Sequence, residues 1–332
     1  MKRSRRLLLG SLVLTLVLAA CGSSSKPSTS GTTTGGGGEK LSGSITLAVN
    51  PWDGSAANAN VAKVILEKQG MTVKLTDIDE NAAWPALDKD SIDANLEVWP
   101  SGHAKDFKKY IESGNGVVDG GPLGVTGQIG WWIPTYLLDV HPELATWEGI
   151  KGNESMFQSS ESGDAGQLLD GDPSYVTFDQ NIADNLGLNL KVVYAGSEAA
   201  ELTELKTAYN AQKPILMYFW TPHWAQEKYD LTMVELPEVT PECEQAAADG
   251  TDAYACAYPQ DDLYKAFNQD LQTKAPAAFA FLSAMSWTND DQNVVALGIN
   301  DGQDPADAAQ EWIDQNPDVW QPWVDAGLAA QS

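Results

Sequence analysis

Hydrophobic and polar residues alternate between two periods along most of the chain. Ile45, Leu47 and Val49 recur every second residue, as on a half-buried strand. Val61, Val64, Ile65 and Lys68 then fall at helical spacing within 56–69, and Gly70 stops the run. Met71–Leu75 reads as a second strand, 82–87 as a short helix, Ala94–Val98 as a third strand, and 104–113 as a helix ended by Gly114. Farther on, Ile129–Ile133, Lys191–Tyr194 and Ile215–Phe219 read as strands, with a helix over Glu198–Gln212 between the last two. From Asp261 onward the pattern predicts helices almost throughout: Leu263–Leu271, Ala277–Met285, Asp290–Leu297 and Pro305–Gln315. No internal repeat is visible.

Strand and helix in alternation predict an α/β fold, with parallel strands inside and helices outside. About 290 residues remain after residue 40, enough for one large or two medium domains. The expected architecture has two lobes with a ligand cleft between them, lined by loops at the carboxyl ends of the strands. Crossovers are placed near 125–132 and 240–260. Residues 41–130 then form lobe I, 131–250 form lobe II, and 251–332 return to lobe I.

The first forty residues follow another logic. Lys2, Arg3, Arg5 and Arg6 precede a largely apolar run, Leu7–Ala20, too short to span a bilayer comfortably. Residues 1–20 therefore read as a signal peptide. The sequence Leu18-Ala19-Ala20-Cys21-Gly22 resembles the lipobox of bacterial lipoproteins, which implies cleavage before Cys21 and its acylation. The other reading is an ordinary secretory signal with a chance cysteine. Residues 21–40 are rich in Ser, Thr and Gly and lack core-forming side chains, as a flexible tether does. The expected address is the outer face of the cell membrane, held by lipid.

Charge narrows the list of partners. The chain has 46 acidic and 20 basic residues, a net charge of −26. Losing residues 1–20 would remove four basic and no acidic side chains, so the remainder is more acidic still. Nucleic acid is excluded as a partner on this ground. Outside the signal and the lipobox, Cys243 and Cys256 read as a disulfide closing a loop. With three His and no zinc-finger spacing, neither metal nor cofactor is expected. There is no nucleophile elbow, phosphate loop or triad, so an enzyme is not expected.

Twelve Trp residues remain to be explained. Four aromatic stretches stand out: Asn50-Pro51-Trp52-Asp53, Glu97-Val98-Trp99-Pro100, Gly130-Trp131-Trp132-Ile133-Pro134 and Tyr218-Phe219-Trp220-Thr221-Pro222-His223-Trp224. Each has a Trp where a strand is predicted to end. Rings gathered there can cage a quaternary ammonium, which has no N–H to donate and binds instead to π faces at ~0.5–2 kcal/mol each. His103 lies four residues after Trp99, at a helix start, and can offer a donor to the same ligand. Tyr175 precedes a helix beginning at Phe178 or Asp179, whose free N–H groups suit a carboxylate. Each residue also has a structural reading: Trp99 packed at a sheet edge, His103 as a cap, Tyr175 half-buried. Trp224 reads as packing, and His223 is open. Trp84, Trp147, Trp287, Trp312, Trp320 and Trp323 read as core or helix packing, the last three in a C-terminal segment docked on lobe I.

In combination, these motifs resemble the substrate-binding proteins of ABC importers for glycine betaine, choline and related osmoprotectants. The resemblance covers nearly all of the chain after the tether. It rests on Trp99 with His103, on Trp220-Thr221-Pro222-His223-Trp224, loosely on Pro173-Ser174-Tyr175-Val176, and on Gly196-Ser197-Glu198-Ala199-Ala200 before a long helix. It implies a type II periplasmic-binding-protein fold, monomeric, delivering its ligand to a permease with a cytoplasmic ATPase. It also implies a trimethylammonium cage of Trp99, Tyr175 and Trp220. A carboxylate would be met by His103 and the N–H groups of Val176 and Thr177. Trp52, with Asp53 beside it, matches a ring of choline-binding relatives, and Trp131 falls near a further cage ring, though Trp132 fits as well. Tyr175 stands where many relatives have Trp.

Glycine betaine is the expected ligand, with choline, carnitine and proline betaine as alternatives. Two other classes stay open: a carbohydrate-binding or glycosidic lipoprotein, since Trp faces also stack on sugars, and a structural lipoprotein whose Trp residues are core.

Overall fold

Among the described residues, nine strands build one sheet: β1 (Ser44–Val49), β2 (Thr72–Asp77), β3 (Ala94–Val98), β4 (Val117–Pro134), β5 (Gly166–Asp170), β6 (Leu190–Tyr194), β7 (Met217–Thr221), β8 (Leu231–Met233) and β9 (Gln260–Asn268). The structure is a computed structural model and describes residues 40–331. The predicted signal peptide, the Cys21 acylation site and nearly all of the tether lie outside the described residues. Among the described residues, no helix is long and apolar enough to cross a membrane.

The strand order is β2-β1-β3-β9-β4-β7-β5-β6, with β8 paired to the end of β4. It divides into two similar halves. In the first, β2, β1 and β3 are parallel, and β9 runs antiparallel to β3. In the second, β6, β5 and β7 are parallel, and β4 runs antiparallel to β7. The halves join along β4 and β9: Val117–Asp119 of β4 pair with Ala266–Asn268, whereas Gln128–Trp132 pair with β7.

Helices cover the sheet as the apolar spacing requires. α1 (Asp53–Lys68) buries Ala57, Val61 and Ile65. It packs against helices Asn289–Asn300 and Pro305–Gln315, which brings the C-terminal return onto the first half. α2 (Glu80–Asp88) follows β2, and α3 (Pro100–Asp106) follows β3. In the second half, helices Asp179–Leu186 and Glu198–Asn210 play the same part. Cys243 and Cys256 are bonded, tying helix Pro241–Asp249 to the segment that leads into β9.

Three expectations are corrected. Leu263–Leu271 is not a helix, because Gln260–Asn268 is strand β9. That strand lies between β3 and β4 with both faces covered, so its residues form a continuous buried run instead of alternating. Second, β4 has 18 residues, not the five of Ile129–Ile133. Its earlier part carries Gly120, Gly121, Pro122 and Gly124, which resemble a loop but absorb register shifts against β9. Third, β5, β8 and the helix Pro241–Asp249 lie where no element is predicted.

Candidate ligand-binding site

A cavity lies where the carboxyl ends of the parallel strands in the two halves face each other. Its walls are mostly rings: Trp52 and Trp99 from the first half, and Tyr175, Tyr218 and Trp220 from the second. Glu80, Gly102, Ile129 and Val176 complete the lining, and none of these nine residues is basic. The empty space is about 380 Å³, part of it open to solvent.

The first-half rings are fixed by hydrogen bonds. Trp52 follows β1 and caps α1, and Trp99 follows β3 and caps α3 ahead of Pro100. Both indole N–H groups donate to Oε1 of Glu97, at 2.8 Å from Trp52 and 3.1 Å from Trp99. Oε2 of Glu97 accepts from Asn58 Nδ2 at 2.6 Å and from Gln292 Nε2 at 3.4 Å. One fully buried carboxylate thus sets the pose of two rings. Burial pushes its pKa up to about 7, against the pull of the Trp52, Trp99 and Asn58 donors. Gly127 lets the Trp99 ring lie on the backbone, since a Cβ there would stand 2.3 Å from the ring.

The second-half rings are fixed mainly by packing. Tyr218 and Trp220 are two apart on β7, hence on one face, with ring centroids 6.0 Å apart. Tyr175 meets Trp52 and Trp220 edge-on, each at 5.8 Å. These are favourable aromatic geometries. Behind Trp220 lies His223, 5.2 Å away ring to ring. Ala225 N–H donates to His223 Nδ1, so the proton of the neutral ring sits on Nε2 and donates to Glu198 Oε1 at 2.7 Å. Burial holds His223 down at about 3, so it is neutral.

Three hydrogen bonds cross between the halves at the cavity. Tyr175 hydroxyl donates to Pro51 carbonyl at 3.0 Å, Asp53 N–H to Glu198 Oε2 at 2.8 Å, and Val176 N–H to Glu80 Oε1 at 2.5 Å.

The structure thus brings together Trp52, Trp99, Tyr175, Val176 and Trp220 of the predicted site, and leaves three other predicted residues outside the lining. His103 is buried beneath it, with Nε2 2.9 Å from Glu80 Oε2. In its neutral form Nδ1 accepts the Trp84 indole N–H at 3.0 Å; as a cation, that nitrogen donates to Asp106 Oδ2 at 3.4 Å. Burial lowers the pKa of the ring, but Glu80 and Asp106 outweigh it and raise it to about 9. Thr177 hydroxyl donates to Asp170 Oδ2 at 3.4 Å. Trp131, two residues beyond Ile129 on β4, is wholly buried and donates to Asp179 Oδ1 at 2.6 Å. Trp132 also turns inward, onto the Phe219 carbonyl.

Glu80, Glu97 and Tyr218 were missed. Glu97 had a signal, a lone acid inside the apolar strand Ala94–Val98. Glu80 had only its place after a strand end, and Tyr218 looked like core.

Comparison with known proteins gives a consistent picture. A family profile described as the substrate binding domain of ABC-type glycine betaine transport system matches residues 43–315. The chain is 27% identical over 289 residues to a trimethylamine N-oxide-binding protein of Pelagibacter ubique, covering 84% of this chain and 90% of the relative. It is 32% identical over 129 residues to a glycine betaine/carnitine transport binding protein of Listeria monocytogenes, covering 39% and 38%. Among solved structures, a lactococcal protein closed on glycine betaine superposes with a TM-score of 0.66 at 22% identity, covering 85% of this chain and 99% of that one. A choline-binding protein in complex with choline gives 0.68 at 18% identity, covering 86% and 96%. These superpositions establish a type II periplasmic-binding-protein fold with a ligand cleft.

Proposed function

This chain belongs to the family of substrate-binding domains of ABC-type glycine betaine transport systems, and on that premise we propose that it captures a small trimethylammonium compound in its aromatic cavity and delivers it to a permease. The observation that carries the reading is the ring of Trp52, Trp99, Tyr175, Tyr218 and Trp220 around a cavity without a basic residue. Such a cavity offers π faces and negative potential, which a permanent cation exploits and a sugar does not need. The relatives' ligands, trimethylamine N-oxide, glycine betaine and choline, share a nitrogen bearing three methyl groups.

The ligand works as a clasp. Its methyl groups touch rings from both halves, so it favours the closed arrangement over any open one. Closure also excludes water, which strengthens the cation–π contacts. In this reading the Cys21 lipid and the tether of residues 21–40 keep the receptor beside the permease, supported by the lipobox-like Leu18–Gly22. A separate cytoplasmic ATPase supplies the energy.

Removing one wall tests the cage. Trp220→Ala is expected to weaken calorimetric binding of glycine betaine and choline by about tenfold or more, in line with the loss of ~1.4 kcal/mol. A folded Trp220→Ala protein with wild-type affinity for both would remove the cage from consideration.

A further inference from the structure

The carboxylate site expected from the sequence is already taken, and by a side chain. We propose that Glu80 fills the anion end of the cavity and so selects trimethylammonium cations without a carboxylate, such as choline, over betaines. The inference rests on the cage reading above and adds the choice of ligand.

Glu80 belongs to the first half, at the start of α2. Its carboxylate reaches across the cavity: Oε1 accepts the Val176 N–H at 2.5 Å, and Oε2 faces His103 Nε2 at 2.9 Å. Those are two of the three groups that a betaine carboxylate was expected to use. The third, Thr177, does not line the cavity, and its hydroxyl is turned onto Asp170. Three of the five ring donors around the cavity are also engaged. The indole N–H groups of Trp52 and Trp99 point to Glu97, and the Tyr175 hydroxyl to Pro51.

A betaine that pointed its carboxylate at the Val176–His103 end would therefore bring it against another carboxylate. It would have to displace Glu80 from Val176 and His103, leaving a buried acid without partners. A ligand that ends in a hydroxyl meets the opposite situation: its cationic head lies near Glu80, and its O–H can donate to it. Specificity here comes from a repulsive element aimed at the wrong ligand as much as from attraction to the right one.

Calorimetry with two probes, glycine betaine and choline chloride, tests this on the chain from Glu39 onward, which carries the whole compact unit. Wild type is expected to bind choline about tenfold or more tightly than glycine betaine. Glu80→Gln keeps the shape and the Val176 contact but removes the charge and the acceptor for His103 Nε2–H, and is expected to shift that ratio towards betaine by about tenfold or more. Wild type preferring betaine overturns the inference without any variant, so a poorly folded mutant cannot shelter it. An unchanged ratio in a folded Glu80→Gln, checked by its thermal transition, overturns it too. Trp220→Ala in the same series separates the two readings. If it weakens both probes while Glu80→Gln leaves the ratio alone, the cage stands and the Glu80 inference falls. If it weakens neither, or if wild type binds neither probe, the cage falls and the inference with it.

Discussion

The two halves of the sheet supply rings to one cavity but hold them by different forces. In the first half, Trp52 and Trp99 hang from the single oxygen Glu97 Oε1. Asn58 and Gln292 hold the same carboxylate from behind, and Gln292 comes from the helix Asn289–Asn300, 195 residues along the chain. In the second half, Tyr218 and Trp220 are placed by strand alternation and by neighbours such as Phe219 and His223, whose ring centroids lie 4.8 Å and 5.2 Å from that of Trp220. A hydrogen-bonded acid fixes orientation sharply but must be desolvated, whereas packing is more tolerant and costs no charge burial. The first half should therefore respond steeply to single changes, and the second more gradually.

Glu97→Ala is the change with the largest expected effect. It leaves two buried indole N–H groups without an acceptor, each costing about 1–3 kcal/mol, and frees both rings. Choline affinity should fall by about a hundredfold or more, the equivalent of ~2.8 kcal/mol. Because Glu97 does not line the cavity, a merely structural role predicts that stability falls while the surviving folded protein binds normally. Titration at a temperature where the variant is folded distinguishes the two, and normal affinity there would erase the contrast between the halves.

The buried acid also makes binding and stability respond oppositely to pH. Burial raises Glu97 to about 7. A cation in the cage favours its ionised form, so binding lowers that pKa and releases a proton. Affinity for choline should rise from pH 6 to pH 8 by up to about tenfold and then level off. Stability of the free protein should move the other way. A carboxyl raised on folding contributes stability that is present below its unfolded pKa and is lost as pH rises through the folded value. Burial also raises Asp53 to about 7 and Glu198 to about 8, with the same sign. His223, lowered to about 3, opposes them only on the acid side, withdrawing stability as pH falls below about 6.5. The thermal transition of the free protein should thus peak at mildly acidic pH and decline towards pH 8. A flat transition from pH 5.5 to 8 would show that these acids are not desolvated as the fold implies.

The same contrast explains what could be read from sequence. The rings were legible as strand-end residues: Trp52 and Trp99 follow strands, and Trp220 lies one residue before the end of β7. The polar supports were not. Glu80 and His103 are 23 residues apart and meet only in the folded chain. The spacing of Trp99 and His103 looked like a ligand pair, but His103 leaves helical geometry at φ −115° and ψ 19° and turns towards Trp84 and Glu80. Periodicity failed at β9 for a similar reason. Lys265 there is fully buried, its ammonium on the carbonyls of Ser283 and Met285, so charge no longer marked the exposed face. Local signals place elements and strand ends, whereas contacts across elements depend on packing that no short window contains.

The smallest expected effect belongs to the tolerant half. Tyr175→Phe keeps the ring, its edge-on contacts with Trp52 and Trp220, and nearly all of its volume, and removes only the hydroxyl that donates to Pro51 carbonyl. That bond joins the halves, so it counts in the closed state and not in an open one. A neutral hydrogen bond of this kind is worth about 0.5–1.5 kcal/mol. On the proposed closure of the halves around the ligand, the loss should appear as a weakening of about two- to tenfold, equal for choline and glycine betaine, since the hydroxyl is turned onto Pro51. Titration of both probes measures it. Unequal losses would put the Tyr175 hydroxyl in direct contact with ligand and give the second half a polar role like that of the first.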